Sequence, residues 1–246
     1  MTTYIPIVSD LQVPFQDRKA VAAVASLIAD LGVASVCVGD LLDGTEISRW
    51  TKGTKGEFAG KLAASRDTAV QFLRDLQIRE LSRSNHDDRI ESYVAKYAPG
   101  LASLPELRIE SFLRLSETGT RFHRSPYACA PGWLLMHGDE GTLSRVPGRT
   151  ATALAERAGK SVACGHTHKL GLQHHTQSSS GKVHSILWGM EVGHLMDTTK
   201  ATYLGGGMFN WSQGIGMLVV DGRDVTPFCL PIRNGRLYWD GKVYRG

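Results

Sequence analysis

The sequence has few cysteines and no long apolar run, and each of these absences argues against a class of protein. Its four cysteines, Cys37, Cys129, Cys164 and Cys229, lie far apart in apolar surroundings and form no CxxC pair. They therefore argue against a cysteine zinc site and against a secreted disulfide framework. No apolar stretch approaches transmembrane length, and the first residues have none of the features of a signal peptide. We expect a soluble, cytoplasmic protein that makes no contact with a membrane.

Size and charge point to an ordinary globular protein. The 246 residues, of which 42% are hydrophobic, can bury one large core, and we interpret residues 1–246 as a single domain. The 28 basic and 24 acidic residues give a formal net charge of +4, spread along the chain. This balance permits a polyanionic partner without requiring one.

Strands and helices alternate at the start of the sequence. Tyr4 to Asp10 is predicted to be a short apolar strand, Arg18 to Gly32 a helix, and Ala34 to Asp40 a second strand parallel to the first. In such a unit the C-terminal ends of the strands meet at one edge of the sheet, where ligands bind. We therefore expect Asp10 and Asp40, which end the two strands, to be neighbours.

The same patterns predict the remaining elements. Helices are expected over Glu57 to Gln77, Asp87 to Tyr97, Leu104 to Leu115 and Pro147 to Ala158. Strands are expected in "IRELSR", "WLLMHGD" and "SVACGHTHK". The C-terminal segment is dense in β-forming residues separated by "DG", "NG" and "DG", which predict β-hairpins.

Side chains that could bind a metal ion follow each probable strand of the parallel pattern. They are Asp10, Asp40, Asn85 with His86, His137, and His166 with His168. A lone histidine after a strand is usually structural, and a lone Gly-Asp pair usually marks a turn. The recurrence of such residues after successive strands instead indicates one site at the edge of the sheet.

The same residues form a series of short motifs. In chain order they are "SDLQ" (9–12), "GDLLD" (39–43), "SNHD" (84–87), "HGD" (137–139) and "GHTH" (165–168). The series resembles the calcineurin-like metallophosphoesterase superfamily, whose pattern is D-x-H, GDxxD, GNH[DE], HG and GHxH, and covers about two thirds of the chain. The resemblance implies a four-layer α/β/β/α fold of two mixed sheets flanked by helices. It also implies a two-metal site at the C-terminal ends of the strands, as in the compact microbial and phage-type phosphodiesterases.

The resemblance assigns roles to individual residues. The first metal ion would take Asp10, Gln12, Asp40 and His168, and the second would take Asp40, Asn85, His137 and His166. Such a mixed oxygen and imidazole set suits Mn²⁺, with Fe²⁺, Zn²⁺ or Mg²⁺ as alternatives. The two ions would activate a hydroxide that attacks the phosphodiester. His86 would protonate the leaving oxygen, and Asp43 would orient its imidazole.

The sequence departs from the family pattern at several positions. Ser84 replaces the glycine before "NH", and the strand before it is unusually polar. Gln12 replaces the histidine of D-x-H. Two residues after Asp10 in an extended backbone, Gln12 would face the first metal ion and bind it through its amide oxygen; the alternative is that it only shapes a turn. Gly44 stands where the Ser/Thr phosphatases have an arginine.

The leading hypothesis is a hydrolase of ester bonds, a metal-dependent phosphodiesterase acting on nucleotides, including cyclic nucleotides, or on nucleic-acid ends. Arg49 and Lys52, in "RWTKGTKG", could hold its phosphate backbone, although a solvated loop is the commoner explanation. A phosphomonoesterase or protein phosphatase is the enzymatic alternative, which the missing arginine disfavours. A non-catalytic scaffold without metal ions is the other alternative, and the metal content of the protein would distinguish it.

Overall fold

The computed structural model describes residues 2–200 and 209–246, which form thirteen strands and six α-helices. The strands are β1 (Thr3–Val8), β2 (Ser35–Cys37), β3 (Ile78–Ser82), β4 (Arg121–His123), β5 (Tyr127–Ala130), β6 (Trp133–Leu135), β7 (Ser161–Cys164), β8 (Leu170–Ser179), β9 (Lys182–Val192), β10 (Gly214–Asp221), β11 (Asp224–Arg233), β12 (Arg236–Trp239) and β13 (Lys242–Arg245). The α-helices are α1 (Arg18–Leu31), α2 (Leu62–Asp75), α3 (Arg89–Tyr97), α4 (Ile109–Phe112), α5 (Leu115–Thr118) and α6 (Arg149–Ala158). Short 3-10 helices cover Thr45–Ile47, Pro99–Leu101, Pro105–Leu107 and Thr198–Lys200.

The strands form two mixed sheets. The first has the order β13-β12-β11-β10-β1-β2-β3-β4, and the second has the order β5-β6-β7-β9-β8. In the first sheet β1, β2, β3 and β4 are parallel neighbours, and the other pairings are antiparallel. In the second sheet β6, β7 and β9 are parallel, with antiparallel β5 and β8 at the edges. The predicted parallel pairing of the first two strands is confirmed.

The two sheets pack face to face, and helices cover their outer faces. The core between the sheets includes Ile7, Val36, Trp133, Leu135, Met190 and Leu218. On the outer face of the first sheet, α1 and α2 contribute Val24, Leu27 and Leu73 to a second core. On the outer face of the second sheet, α6 buries Leu154 and Ala155. These layers confirm the predicted α/β/β/α fold class.

Local signals account for the elements that the sequence predicts well. The side chain of Asp17 caps α1 by accepting hydrogen bonds from the main-chain N–H groups of Lys19 and Ala20. Gly32 ends this helix in the left-handed conformation, with φ +62°. In the C-terminal segment, Asn234 and the glycine after it both have positive φ, as does the Asp240–Gly241 pair. Positive φ at both central residues is the geometry of a tight hairpin turn, and the predicted hairpins are confirmed.

The helices predicted from Asp87 and Pro147 begin two residues later in the structure, and two other predicted helices differ by more. Helix α2 begins at Leu62 rather than Glu57, because the carboxylate of Glu57 accepts a hydrogen bond from the main chain of Gly53 within a series of turns. The predicted helix over Leu104 to Leu115 is divided into a 3-10 turn at Pro105–Leu107 and the short α4. None of the helices in the described ranges is long and apolar enough to cross a bilayer.

Candidate metal centre

Five loops meet where the parallel strands of the two sheets end. They follow β1, β2 and β3 of the first sheet and β6 and β7 of the second, and they carry the five motifs. Main-chain hydrogen bonds join them in pairs. The N–H of Asp10 donates to the carbonyl of Gly39 at 3.1 Å, and that of Gly165 donates to the carbonyl of His137 at 2.8 Å. Each sheet therefore contributes part of one site.

Two glycines allow these loops to approach each other closely. A Cβ atom on Gly39, where φ is +102°, would lie 2.5 Å from the Cβ of Ser84. A Cβ atom on Gly165 would lie 1.8 Å from the Oγ of Ser9 and 2.5 Å from a carboxylate oxygen of Asp10. Only a hydrogen atom fits at either position, so the glycines of "GD" and "GH" are required by the packing of the loops.

Left-handed backbone is concentrated at this site. Ten non-glycine residues in the described part of the chain have positive φ, and five of them are predicted metal ligands: Asp10, Gln12, Asp40, His166 and His168. The left-handed conformation costs about 1–2 kcal/mol for each such residue, and strain of this kind concentrates at functional sites. The predicted extended backbone from Asp10 to Gln12 is therefore wrong, because both residues lie in a tight turn after β1. That turn still directs the Gln12 side chain into the site.

The buried carboxylate of Asp40 lies at the centre of the site. Its Oδ1 is 3.2 Å from Nε2 of His137, and its Oδ2 accepts a hydrogen bond of 2.7 Å from Nε2 of Gln12. The main-chain N–H of His86 approaches Oδ1 at 3.3 Å. The predicted proximity of Asp10 and Asp40 is confirmed, because their carboxylates belong to one compact cluster.

Two groups of side chains in this cluster could each hold a metal ion. One consists of Asp40, His137 and His166, and the other of Asp10, Asp40 and His168. Within each group, ligand atoms lie within 4.8 Å of one another. The groups share Asp40 and divide the histidines between two ions as the family resemblance implies. The oxygen and imidazole donors are those that first-row divalent ions accept.

The surroundings of His137 favour a positive charge in the group of Asp40, His137 and His166. Its Nδ1 lies 2.8 Å from the carbonyl oxygen of Val38, which can only accept, so Nδ1 carries a proton. Its Nε2 faces Oδ1 of Asn85 at 3.0 Å and Oδ1 of Asp40 at 3.2 Å. Burial lowers the pKa of His137, but the Asp40 carboxylate outweighs it and raises the pKa to about 10, so a proton on Nε2 supplies the positive charge when no metal ion is bound. A divalent cation that replaced this proton would meet three acceptors, the imidazole nitrogen and the two oxygen atoms.

The group of Asp10, Asp40 and His168 also offers donor atoms for a metal ion. Burial raises the pKa of Asp10, but His168, whose Nε2 lies 3.0 Å from Oδ1, outweighs it and lowers the pKa. Burial likewise raises the pKa of Asp40, and His137 then lowers it well below its usual range. The side chains of Asp10 and Asp40 are therefore both ionised at neutral pH. The buried Oε1 of Gln12 and Nδ1 of His168 have no hydrogen-bond partner among the described residues. The residues thus fit divalent cations.

His86 lies beside this cluster without belonging to either group. Its Nδ1 is 3.0 Å from the main-chain carbonyl oxygen of Asp43 and 3.6 Å from its carboxylate, which accepts a hydrogen bond from Thr45. The main chain of Asp43, rather than its carboxylate, therefore makes the hydrogen bond to the imidazole. Arg89, which the sequence analysis did not consider, places Nη2 at 3.0 Å from Nε2 of His86. The separation of three residues was the available signal, because His86 and Arg89 are the two ends of the turn that leads into α3, where the N–H of Arg89 donates to the carbonyl of His86 at 3.1 Å.

Asp87 fixes the relative position of two motifs, a role that the sequence analysis also missed. This buried carboxylate accepts hydrogen bonds from the main-chain N–H groups of Leu41 and Leu42, at 3.3 and 3.0 Å, and from the hydroxyl of Ser84 at 2.8 Å. Burial, together with the nearby Asp40 carboxylate, raises the pKa of Asp87 to about 6. Ser84 therefore does not disturb the turn in which it replaces glycine; it adds a hydrogen bond to it.

The polar residues in and around β3 form hydrogen bonds with one another and with side chains of neighbouring elements. Arg83 donates to Asp88 at 2.7 Å and to Asp139, in the loop after β6, at 2.9 Å. Glu80 accepts a hydrogen bond from His123 on the neighbouring β4. These partners explain how a polar sequence forms a strand, and the pair of Arg83 with Asp139 joins loops from the two sheets.

A cavity of about 580 Å³ opens above the two groups. Aromatic side chains form part of its wall: Phe15, Trp50 and Trp211. The ring of Trp211 is 4.2 Å from that of His168, and the buried His194 lies behind His168 at 5.5 Å between ring centres. Burial lowers the pKa of His194 to about 3, so its ring is neutral. The cavity could admit a ligand as large as a nucleotide to the candidate metal centre.

The predicted substrate-binding residues lie outside this cavity. Arg49 lines a neighbouring cavity of about 370 Å³, and its guanidinium lies 4.6 Å above the ring of Trp50. The ammonium group of Lys52 lies 3.5 Å above the ring of Tyr97. Neither side chain lines the cavity above the candidate metal centre. Their role toward a substrate stays a prediction.

Comparison with known proteins identifies relatives over the whole chain. The sequence matches no protein-family model. It is 37% identical to the gene 54 protein of Mycobacterium phage D29, and equally to that of Mycobacterium phage L5, over 99% of this chain and 99% of each relative. Among solved structures, Vacuolar Protein Sorting 29 from Cryptosporidium parvum aligns with 100% of this chain and 97% of its own, at 14% identity and a TM-score of 0.48. The identity and coverage place the chain in the family of the gene 54 proteins of Mycobacterium phages D29 and L5.

Proposed function

We propose that this protein is a metal-dependent phosphodiesterase of the calcineurin-like metallophosphoesterase superfamily. The observation that carries the proposal is the buried Asp40 carboxylate, shared by two groups of ligands for divalent ions. Asp10, Gln12 and His168 would complete one site, and Asn85, His137 and His166 the other. When bound, two such ions supply the charge that neutralises phosphoryl oxygens and acidifies water, with Mn²⁺ the preferred ion.

His86 would act as the general acid of the reaction. Because Nδ1 is held by the Asp43 carbonyl, Nε2 is the ring nitrogen that remains for a substrate, and the Arg89 guanidinium that now donates to it would turn to the phosphate when an ester binds. Nε2 lies 3.9 Å from Oδ2 of Asp40, and His86 lines the cavity above the two groups. Protonated there, it would give its proton to the leaving oxygen of the ester.

Arg89 and the aromatic wall support a nucleotide substrate. The Arg89 side chain lines the cavity beside His86 and could pair with a phosphoryl oxygen. Phe15, Trp50 and Trp211 offer apolar faces on which a nucleobase could stack. A nucleotide combines an anionic ester with such a base, whereas a simple alkyl phosphate would leave the rings unused.

Hydrolysis of paired substrates tests the proposal. With Mn²⁺, the protein should hydrolyse bis(p-nitrophenyl) phosphate faster than p-nitrophenyl phosphate, a chelator should abolish the activity, and added Mn²⁺ should restore it. Cyclic nucleotides and mononucleotide diesters in the same assay would identify the natural class of ester. A preference for the monoester with every metal ion would overturn the proposal.

Phosphomonoesterase activity is a second candidate, and Arg89 is the observation that favours it. The arginine missing at position 44 disfavours this activity, but the Arg89 guanidinium donates a hydrogen bond to the Asp43 carbonyl from α3. A guanidinium in that place could pair with the additional charge of a monoester. Replacing Arg89 with Met should then reduce monoester hydrolysis more than diester hydrolysis.

A scaffold without metal ions is the remaining alternative. The retained donors argue against it, since buried carboxylates and imidazoles arranged in this way are costly to maintain without a cation. Metal analysis of the purified protein distinguishes the two classes. We expect Mn²⁺ to bind with a stoichiometry of about two, as in two-metal hydrolytic sites, and a protein that binds no divalent ion would be a scaffold.

A further inference from the structure

A second cavity, of about 370 Å³, adjoins the one above the candidate metal centre. Three residues, Ser48, Trp50 and Arg89, line both cavities, so the two are immediate neighbours. The second cavity extends from Asn85 along α3 to Tyr97. We call this second cavity the α3 groove. It lies beside the candidate reaction site rather than within it.

The α3 groove is lined by cations and contains no carboxylate among its lining residues. Its charged lining residues are Arg49, Arg89 and Lys96. A fourth cation, Lys52, lies at its rim, with its ammonium group 3.5 Å from the ring of Tyr97. The chain as a whole has nearly balanced charge, with 28 basic and 24 acidic residues. A concave surface with one sign of charge in such a protein favours an anionic ligand.

Aromatic rings alternate with these cations. Trp50, Tyr93 and Tyr97 line the groove, and Trp50 is 75% exposed although it is a large apolar side chain. The guanidinium of Arg49 lies 4.6 Å from the ring of Trp50, and the ammonium of Lys96 lies 5.2 Å from that of Tyr97. Trp50 and Tyr97 therefore each have a positive charge beside the ring. A nucleotide needs this combination, a ring face for its base and a cation for its phosphate.

We propose that the α3 groove binds the nucleotides that flank the cleaved phosphodiester of a single-stranded nucleic acid. This inference rests on the proposed phosphodiesterase function and names its substrate class. The strand would cross from the candidate metal centre past Arg89 into the groove, where bases stack on Trp50 and Tyr97. A duplex would not use these rings, because its bases are already stacked on one another and their faces are not accessible.

Binding of an uncleavable strand tests the groove without depending on catalysis. The probe is a fluorescent single-stranded deoxyoligonucleotide of about 12 nucleotides, within the range that one site covers. Its linkages are phosphorothioates, and its affinity for the Mn²⁺-loaded protein is measured by anisotropy. Trp50→Ala and Tyr97→Ala should each weaken binding at least about fivefold, while Trp50→Phe should keep most of the affinity. A duplex of the same sequence should bind at least about tenfold more weakly than the single strand.

The salt dependence separates phosphate contacts from stacking. Lys96→Ala should lower the slope of log affinity against log salt by about 0.7, the value for one phosphate of a single strand, and Tyr97→Ala should leave the slope unchanged. The matched controls are Tyr238→Ala, which removes an aromatic side chain that is 60% exposed on β12, and Lys160→Ala, at an exposed position after α6. Neither control residue lines the α3 groove, and neither substitution should alter binding.

The outcomes distinguish the groove from the proposed reaction. If the wild-type protein hydrolyses bis(p-nitrophenyl) phosphate but its affinity for the strand does not respond to Trp50, Tyr97 or Lys96, the groove proposal fails alone. If the strand binds through these residues and no ester is hydrolysed, the groove stands as a binding site for single-stranded nucleic acid, and the phosphodiesterase proposal fails. Equal displacement of the strand by polyglutamate and by oligothymidylate would mean that the groove recognises acidic polymers in general, and would overturn the proposal.

Discussion

Gln12 stands where the family pattern has a histidine, and the two polar atoms of its amide have different environments in the structure. Its Nε2 donates to Oδ2 of Asp40 at 2.7 Å, while its Oε1 is buried without a hydrogen-bond partner among the described residues. The donated hydrogen bond stabilises the Asp40 carboxylate, and the unpaired oxygen can serve as a neutral ligand. One end of the Gln12 amide therefore holds the Asp40 carboxylate, and the other end is available to a metal ion.

Replacing Gln12 with Glu should have opposite effects with and without metal. In the presence of a chelator, Gln12→Glu should lower the free energy of unfolding by about 1–3 kcal/mol, because the donor to Asp40 is lost and a like charge is added. With saturating Mn²⁺ the added carboxylate should tighten metal binding and raise the Tm. Thermal unfolding in both conditions, with calorimetric Mn²⁺ titration, measures the two effects. Gln177→Glu, at an exposed position on β8, is the control; equal Tm values for wild type and Gln12→Glu in both conditions would show that Gln12 is a turn residue.

His86 differs from the histidines of the two metal groups in that it belongs to neither group, and its Nδ1 is held by the Asp43 carbonyl. His86→Ala should keep the metal content and slow esters with strongly basic leaving groups by about 10²–10⁴-fold. Nitrophenyl esters should lose much less activity, because their leaving group needs little protonation. The measurement is kcat for a series of esters that differ in leaving-group pKa. An equal loss across the series would mean that His86 positions the phosphate instead.

At the scale of the elements, the site depends on how closely the loops approach each other. The loop after β7 passes so near β1 that Gly165 has no room for a side chain, although its φ is not in the left-handed region. The loops after β2 and β3 are joined through Asp87, and those after β3 and β6 through the ion pair of Arg83 with Asp139. The strands end before the motif residues begin, so the conformations of the loops determine where the candidate metal ligands lie.

Gly165→Ala should therefore disrupt the site through steric contact alone. We expect it to lower the free energy of unfolding by about 1–3 kcal/mol, as overpacking does, and to weaken Mn²⁺ binding, because the added methyl group displaces Ser9 and Asp10. The matched control is Gly100→Ala, since Gly100 also lacks positive φ and has open space around its Cβ position. The control should have no effect or stabilise the protein by up to about 1 kcal/mol. Denaturant unfolding and metal titration of both variants decide the matter.

An ion pair between elements gives a pH dependence with a definite sign. Arg124, after β4, donates to Glu91 of α3 at 2.9 Å and to Glu110 of α4 at 2.8 Å. Burial raises the pKa of Glu91, but the Arg124 hydrogen bonds outweigh it and lower the pKa below 4.5. A lowered folded-state pKa contributes stability above the unfolded-state pKa, and this contribution is lost as the pH falls through the folded-state value.

Arg124→Met should remove that contribution. The variant should be less stable than wild type at about pH 7, and the difference should shrink as the pH falls through the lowered folded-state pKa of Glu91. Urea unfolding across this range measures the difference. A constant difference at all pH values would show that Arg124 acts through packing rather than through its charge.

At the scale of the whole molecule, the candidate metal centre joins the two sheets. Asp10, Asp40 and Asn85 follow strands of the first sheet, and His137 and His166 follow strands of the second. An ion bound by residues from both sheets would hold the two halves of the sandwich together at this edge. Metal binding and overall stability should therefore be coupled.

Removing metal should lower the stability of the entire fold. An ion present at 100 times its Kd adds about 2.7 kcal/mol to the free energy of unfolding. Scanning calorimetry should therefore show a higher Tm in Mn²⁺ than in a chelator. His137→Ala, which removes a candidate ligand contributed by the second sheet, should abolish most of this increase, whereas His184→Ala, at an exposed position on β9, should keep it. Identical Tm values for the wild type in Mn²⁺ and chelator would contradict a metal centre between the sheets.

The sequence by itself determined the elements whose signals are local. The cap and glycine stop of α1, the Asp-Gly and Asn-Gly turns of the C-terminal hairpins, and the polar motifs after apolar strands all act within a few residues, so they can be recognised from their order along the chain. The motifs also indicated which side chains would share one edge, because parallel strands bring their C-terminal ends together.

Only the tertiary structure decided how those side chains are used. The Asp43 main chain holds His86, Arg89 on α3 provides a guanidinium near position 44, and Gln12 turns into the site through left-handed backbone. The α3 groove joins residues of an irregular loop with one face of a helix. These contacts depend on how close the loops pack and in which direction each side chain leaves its turn. Packing between distant segments sets both, and no local pattern in the sequence encodes either of them.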